Sequence, residues 1–340
     1  MSEVITERAL RDLVAEWIAA GNLAAGPVRV RPDRIQYAPL RDADALILDG
    51  YIRPANSIKE FVLPRHETLY GYELRGKTVE LVDCEPPIPR TLIVGARPCD
   101  AAALAILDHI FNWDFRDGFY NRRREALSIV TLACRRHDEA CFCTSVGLGP
   151  AAEKGSDAML FELGDRVDPA DGLYEVRCIT DKGRSLFRGR TQASDRTAET
   201  PAGPERRFDV SDVEAFLKNH FEDPIWSERS LRCLGCAACA YTCPTCHCFD
   251  IVDERRGARG VRARNWDACQ FKMFTHHASG HNPRTNQAQR QRQRITHKFG
   301  IYPGKFGDVL CTGCGNCVRN CPVHLGVLGI LQAAAERTKV

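Results

Sequence analysis

The chain has 340 residues, which is long enough for two domains, and its 44% hydrophobic and 27% charged residues are a balance typical of a globular protein. The net charge of +3 is too small to indicate a polyanion as a partner, and no run of 18 apolar residues indicates a membrane span. We therefore expect neither nucleic acid nor a membrane among its partners.

The N-terminal sequence MSEVITERALRDLVAEW predicts an amphipathic helix and lacks the charged start and apolar core of a signal peptide. The chain contains 17 cysteines. Without an export signal, such a number indicates metal ligands rather than disulfides, because a reducing cytosol keeps thiols free. We expect a cytoplasmic protein.

Apolar runs in the first half predict a parallel sheet with helices. Residues 90–96 and 127–133 are continuously apolar and rich in β-branched residues, as in strands that are covered on both faces. Residues 101–111, which follow the first run, predict a buried helix. Further strands are predicted at 157–163 and 173–177.

The composition of residues 181–207 turns to Gly, Arg, Thr, Ser and Pro, which predicts a domain boundary, and a helix is predicted at about 210–220. The predicted fold class is α+β. An α/β domain over residues 1–205 precedes a mainly helical, bacterial-ferredoxin-like domain over residues 206–340, which carries a basic insertion at 250–305.

One cysteine pattern, C-x2-C-x2-C-x3-C-P, occurs twice in the C-terminal third of the chain. It is the ligand run of proteins with two [4Fe–4S] clusters, in which the fourth cysteine of each run binds the other cluster. Zinc is the alternative, but zinc ligands come in pairs with a wider gap between them. We predict two [4Fe–4S] clusters, one bound by Cys233, Cys236, Cys239 and Cys321 and the other by Cys311, Cys314, Cys317 and Cys243.

Four more cysteines lie near the ends of two predicted strands. Cys99 follows the first strand, Cys134 ends the second, and Cys141 and Cys143 come just after it. Parallel strands place these loops on the carboxyl edge of the sheet, where open α/β sheets gather ligands. We predict a third iron–sulfur cluster on these four residues; the alternative is ordinary buried or loop cysteines.

Other candidate ligands carry weaker signals. Cys246, Cys248 and Cys269 follow the first run and are predicted to pack near a cluster rather than to bind it. Cys84 and Cys178 have no cysteine neighbours and are interpreted as structural. Four histidines match no ligand motif and are interpreted as surface or cluster-adjacent groups: His276, His277, His281 and His297.

The insertion is basic, with eleven Lys and Arg against three Asp and Glu in residues 251–304. A nucleic-acid site is one interpretation, but no recognition motif is present and few aromatic residues lie among the arginines. A basic face could also steer an acidic redox partner. A solvated helix face around residues 287–294 is the third interpretation.

Several segments together resemble the electron-transfer beta subunit of sulfhydrogenase-type NiFe hydrogenases, and are similar also to the A-type subunit of anaerobic sulfite reductase. They are DPIW at 223–226, CLGCAACAYTCPTCHCFDI, NWDACQF, HNPR, HKF before CTGCGNCVRNCPV, TLIVGARPCDAAALAILD and CFC. The resemblance extends from about residue 55 onward, whereas residues 183–205 match no known segment. It implies a relay subunit between a flavin subunit that handles NAD(P)H and a catalytic subunit that holds nickel–iron or sirohaem. The crossing ligands of the family fall on the eight cysteines of the two runs.

No G-x-G-x-x-G follows a strand, so no nicotinamide or FAD site of the Rossmann kind is predicted. We predict an electron-transfer subunit without catalytic residues of its own, with the hydrogenase small and large subunits as its first candidate partners. The alternatives are the A-type subunit of an anaerobic sulfite reductase, a stand-alone iron–sulfur oxidoreductase, and an iron–sulfur regulatory or nucleic-acid protein.

Overall fold

The computed structural model describes residues 1–84, 86–164 and 172–338. The strands in these ranges are β1 (Ser2–Thr6), β2 (Leu23–Arg31), β3 (Arg34–Pro39), β4 (His66–Arg75), β5 (Thr78–Val82), β6 (Thr91–Ala96), β7 (Leu127–Leu132), β8 (Ala158–Glu162), β9 (Leu173–Cys178), β10 (Gln192–Ser194), β11 (Phe249–Arg256) and β12 (Arg259–Trp266). The α-helices are α1 (Glu7–Ala19), α2 (Pro98–Ile110), α3 (Gly118–Ala126), α4 (Asp181–Phe187), α5 (Val210–Asn219), α6 (Ile225–Ser230), α7 (Ala238–Tyr241), α8 (Gln287–Thr296), α9 (Tyr302–Phe306), α10 (Asn316–Arg319) and α11 (Leu328–Arg337).

The larger sheet has the strand order β10-β1-β9-β8-β7-β6-β2-β3. Strands β2, β6, β7 and β8 run parallel to their neighbours in this group, and the outer pairings are antiparallel. Both predicted central strands are confirmed, since β6 and β7 are buried along their whole length. The loops that follow them therefore leave the sheet at one edge.

Apolar side chains cover the larger sheet on both faces. Leu10 and Leu13 of α1 pack in one core cluster with β6 and β7 residues, and Leu104 and Leu107 of α2 pack in another. Each fully buried leucine stabilises the fold by roughly 1.5–3 kcal/mol. This two-sided burial explains why the two strands are continuously apolar in sequence.

One local prediction is wrong. Residues 2–6 form a strand rather than the start of a helix, because Val4 and Ile5 are buried where β1 pairs with β9. Residues 181–187, in the segment for which the boundary is predicted, form helix α4; the boundary itself stays a prediction. The Thr180 side chain caps this helix, and Phe187 is buried in the core of the first half.

A second, four-stranded sheet includes two strands of the domain predicted to be mainly helical, so the mainly helical character is not confirmed. Its order is β11-β12-β4-β5, and all pairs are antiparallel. Strands β11 and β12 form a hairpin within the insertion, and β12 pairs with β4 of the first half. Arg262 lies opposite Asp253 in the hairpin and forms an ion pair with it at 2.7 Å. The mixture of helices and sheets agrees with the predicted α+β class.

The C-terminal helices share one core, in which Phe216, Trp226, Phe299 and Leu331 are buried together. Helix α8 continues through a π-helical turn at His297–Ile301 into α9. Among the described residues, no helix is both long and apolar enough to cross a membrane.

Candidate iron–sulfur sites

The two cysteine runs fold into loops with the same backbone pattern. Two residues in each loop have left-handed backbone angles: Gly235 and Ala237 at φ +67° and +59°, and Gly313 and Gly315 at φ +61° and +72°. A short helix follows each loop, α7 in the first and α10 in the second. The left-handed region costs a residue with a Cβ roughly 1–2 kcal/mol, so Ala237 is held in a strained conformation by its surroundings.

The first thiol pocket combines residues of both runs. Cys233, Cys236 and Cys239 of the first run line it together with Cys321 of the second run. Gln291 of α8 donates from Nε2 to the Sγ of Cys233 at 3.3 Å. Burial acts to raise the pKa of Cys321, but backbone N–H groups led by that of Leu325 outweigh it and lower the pKa. A thiolate is therefore stabilised at this position, as a metal ligand requires.

The second thiol group is buried and lies beside Cys243 of the first run. Burial raises the pKa of Cys311 to about 12 and that of Cys314 to about 11, and the nearby Cys243 adds to both shifts. Cys317 lies close enough to add to the shift of Cys314. The structure thus brings together both predicted sets of four cysteines, with the last cysteine of each run beside the other run; that they are the ligands stays a prediction.

The third thiol pocket joins the two halves of the molecule. Cys99, at the start of α2, lines it with Cys134, Cys141 and Cys143, and Cys314 of the second group contributes to the same wall. The loop around Cys143 packs directly on the second run, because a Cβ at Gly313 would lie 2.5 Å from the backbone of Cys143. Burial raises the pKa of Cys99 and that of Cys143, the latter to about 12.

Buried cations lie between these pockets. Arg53 donates from Nη1 to the Sγ of Cys99 at 3.4 Å and to the carbonyl oxygen of Cys314 at 3.3 Å, so it contacts the third and the second thiol groups. Its Nη2 binds both carboxylate oxygens of Asp100, at 2.8 and 2.9 Å. The pKa of Arg53 is raised well above its usual value, because Asp100 and the two thiols outweigh the effect of burial.

Arg294 of α8 occupies the corresponding position between the first and second groups. It is buried, and its Nη2 donates to the carbonyl oxygen of Cys239 at 3.0 Å. Cys239 and then Cys317 are among the groups that raise its pKa against burial. Its Nε and Nη1 have no hydrogen-bond partner in the part of the chain that the structure describes.

The buried side chain of Lys298 also points toward the thiols, at Cys243. Its ammonium group donates to Thr245 Oγ1 and to the Leu310 carbonyl oxygen, each at 2.8 Å, and lies 3.6 Å from the Sγ of Cys243. Clusters of four thiolates carry negative charge, and their sulfur atoms accept N–H hydrogen bonds. Sets of four thiols with buried cations and unpaired N–H donors beside them therefore fit iron–sulfur clusters.

The three remaining cysteines of this region form close contacts. The Cys246 thiol lies beside that of Cys243, and the Cys248 thiol lies beside that of Cys269. The contact with Cys248 lowers the pKa of Cys269 to about 6. His297 packs edge-on against the half-buried ring of His247 at 5.5 Å between centroids, and desolvation lowers the pKa of His247 to about 3.

The inward-facing cations were not predicted from the sequence. A solvated face was one interpretation of residues 287–294, yet Arg290 and Arg294 are buried. Arg53 precedes the first predicted strand in a segment without periodicity, and its contacts lie far away in the chain. Of these cations, only Lys298 lies in a segment that the sequence singled out, the HKF motif. That motif was noted for the family resemblance and did not indicate a buried cation.

Residues 232–325 match the family model of the 4Fe-4S dicluster domain. This part of the chain is therefore an iron–sulfur domain with two [4Fe–4S] clusters.

A known protein also aligns with nearly the whole of this chain. The chain is 28% identical over 324 residues to sulfhydrogenase 2 subunit beta of Pyrococcus furiosus, and the alignment covers 92% of each protein. The resemblance predicted from the motifs is confirmed, and it extends across both halves of the molecule.

Proposed function

We propose that the chain is the subunit that relays single electrons between a flavin subunit handling NAD(P)H and a catalytic subunit, with a NiFe hydrogenase as the catalytic partner. The observation that carries this proposal is the succession of the thiol groups. The second and third groups share Cys314 in one wall, and Arg294 lies between the first and the second. Such a succession suits stepwise transfer better than a single reaction centre.

In this proposal, twelve cysteines hold three clusters. Residues 1–205 form the domain of the third cluster and residues 206–340 form the dicluster domain, in a cytoplasmic complex. The ligands of the first cluster are Cys233, Cys236, Cys239 and Cys321; those of the second are Cys311, Cys314, Cys317 and Cys243; those of the third are Cys99, Cys134, Cys141 and Cys143.

The clusters, when bound, supply one-electron redox centres whose charge is spread over many atoms. The residues of the chain fix their spacing and set their environment. The buried wall around Cys311 and Cys317 excludes water, and the cations Arg53, Arg294 and Lys298 offset the negative charge of thiolates. The N–H groups of Gln291 and Leu325 hold the thiolates of the first pocket in place.

The name of the relative, a sulfhydrogenase subunit, supports hydrogenase as the catalytic partner. The A-type subunit of an anaerobic sulfite reductase is the alternative, because the motifs also resemble that family. Purification of the native complex under anaerobic conditions, through a tag on this chain, separates the two by metal and cofactor content. Nickel with flavin is the expected result, whereas sirohaem favours the alternative. Iron alone, with no co-purifying subunit, contradicts the relay and favours a stand-alone enzyme.

A further inference from the structure

The first thiol pocket reaches the surface through a ligand loop that carries exposed apolar residues. Leu231 and Leu234 flank Cys233 and are 84% and 67% exposed, and Cys236 of the same loop is also exposed. Leu234 lines the pocket beside these thiols. In contrast, Cys311, Cys314 and Cys317 of the second group are buried. Two exposed leucines beside a redox centre indicate a surface that another molecule covers.

The charge around this loop has one sign. No Asp or Glu occurs at residues 229–249, 268–307 or 309–335, and these three stretches supply the pocket's walls. Arg229, Arg232 and Lys272 in them are exposed. Of the acidic residues that border the first stretch, Glu228 is paired with Arg337 at 2.8 Å. The charged side chains of the loop and of the pocket's walls are therefore basic, next to an apolar centre.

We propose that the loop face, defined as Leu231, Leu234 and Cys236 with Arg229 and Arg232 beside them, is the docking surface for an acidic redox protein. This inference rests on the proposed relay function and specifies where one partner binds. An apolar centre with a charged rim is the usual anatomy of a protein interface, and positive charge steers an acidic partner to it. A nucleic acid would use the arginines but leave the leucines without a role.

The probe is a small acidic ferredoxin with two [4Fe–4S] clusters. It is tested against residues 1–340 of this chain, loaded with the clusters of the chain itself. Calorimetric titration under anaerobic conditions gives the dissociation constant, and stopped-flow absorbance gives the rate of electron transfer to the oxidised probe. We expect Leu231→Asp to weaken binding roughly tenfold or more, since it removes most of the burial of one leucine. We expect Arg229→Glu to weaken binding more strongly at low salt than at high salt, because salt screens the exposed charge.

Two matched control variants test whether the loss of probe binding is specific to the loop face. Phe115 is 83% exposed on the loop between α2 and α3, so Phe115→Asp introduces the same charge at an equally exposed apolar position. Arg188→Glu reverses an exposed charge just after α4. Unchanged electron paramagnetic resonance (EPR) spectra of the reduced clusters in Leu231→Asp show that the variant retains its clusters.

The outcomes distinguish this inference from the relay itself. Failure of the wild-type chain to bind the probe overturns the docking surface, as does binding by Leu231→Asp and Arg229→Glu equal to that of the controls. A single-stranded oligonucleotide that binds more tightly than the probe and displaces it also overturns the docking surface. If the probe binds at the loop face but receives no electrons from a fully loaded chain, the relay function fails while the surface stands.

Discussion

Arg53→Met tests whether the cation between the second and third thiol groups is built into the fold. Arg53 and Asp100 form an ion pair whose side chains are 3% and 0% exposed. Removing one partner of a buried pair costs about 3–5 kcal/mol, because the other charge stays buried without compensation. The Tyr37 hydroxyl still donates to Asp100 at 2.9 Å, and burial already raises the pKa of that carboxyl. Since protonation of Asp100 limits the loss, we expect a decrease in the free energy of unfolding of about 3 kcal/mol.

The assay is urea unfolding of the chain purified anaerobically with its clusters, followed by circular dichroism. Because cluster loss makes unfolding irreversible, the quantity compared is the urea midpoint after a fixed incubation time, and the predicted loss of stability appears as a lower midpoint for Arg53→Met rather than as an equilibrium free energy. Arg184→Met is the control: its ion pair with Asp181 has side chains 55% and 98% exposed, so its loss costs at most about 1 kcal/mol.

A second variant separates the charge from the packing. Arg53→Met combined with Asp100→Asn removes both charges and keeps a hydrogen-bonding group beside Tyr37, so we expect it to recover about half of the lost stability. Arg53→Lys keeps the charge but not the paired hydrogen bonds and is expected to be intermediate. If Arg53→Met unfolds at the same urea concentration as Arg184→Met, or if the double variant is no more stable than the single one, the buried ion pair does not stabilise the fold in the way expected.

Three further predictions concern the clusters and the free thiols. Cys243→Ser is expected to remove the EPR signal of the cluster held by the second run; loss confined to the cluster of the first run contradicts the crossed ligation. Arg294→Met is expected to lower the reduction potentials of both clusters of the dicluster domain in an EPR-monitored redox titration, because it removes a buried positive charge beside both thiol groups. Arg292→Met, on the outer side of the same helix, is expected to leave the potentials unchanged, and an equal shift in both variants opposes a specific role. Diamide is expected to link Cys248 and Cys269 as a disulfide, detected by peptide mass mapping, since their thiols are in contact; if both remain alkylatable after treatment, the prediction fails.

The sequence was sufficient for the cofactor and for the central strands, because both leave local patterns. Ligand spacing within each run reflects the geometry of a loop around a cluster, and the apolar runs of β6 and β7 reflect burial on both faces. The pairing of Cys321 with the first run also follows from the pattern alone. These features need no information about distant parts of the chain.

The hairpin in the basic insertion and the inward cations could not be predicted in the same way. Strands β11 and β12 carry many charged residues, which suggest solvated structure, and β12 is fixed by pairing with β4 from the first half. Arg53 reaches a carbonyl 261 residues away in the chain. Basic composition alone does not show whether an arginine faces water or a buried thiolate, because that depends on long-range packing.

The wall of the third pocket has a consequence for how the protein is assembled. Its cysteines lie in the first half, but the wall is completed by Gly313 and Cys314 near the other end of the chain. A ribosome adds about 5–20 residues per second, so these cysteines emerge well before the segment that covers them. Until that segment folds onto the Cys143 loop, the pocket stays open to solvent. Under the proposed ligation, a third cluster is therefore enclosed only after residues 313 and 314 have been synthesised, and truncation before residue 313 is expected to remove it together with the two clusters of the dicluster domain.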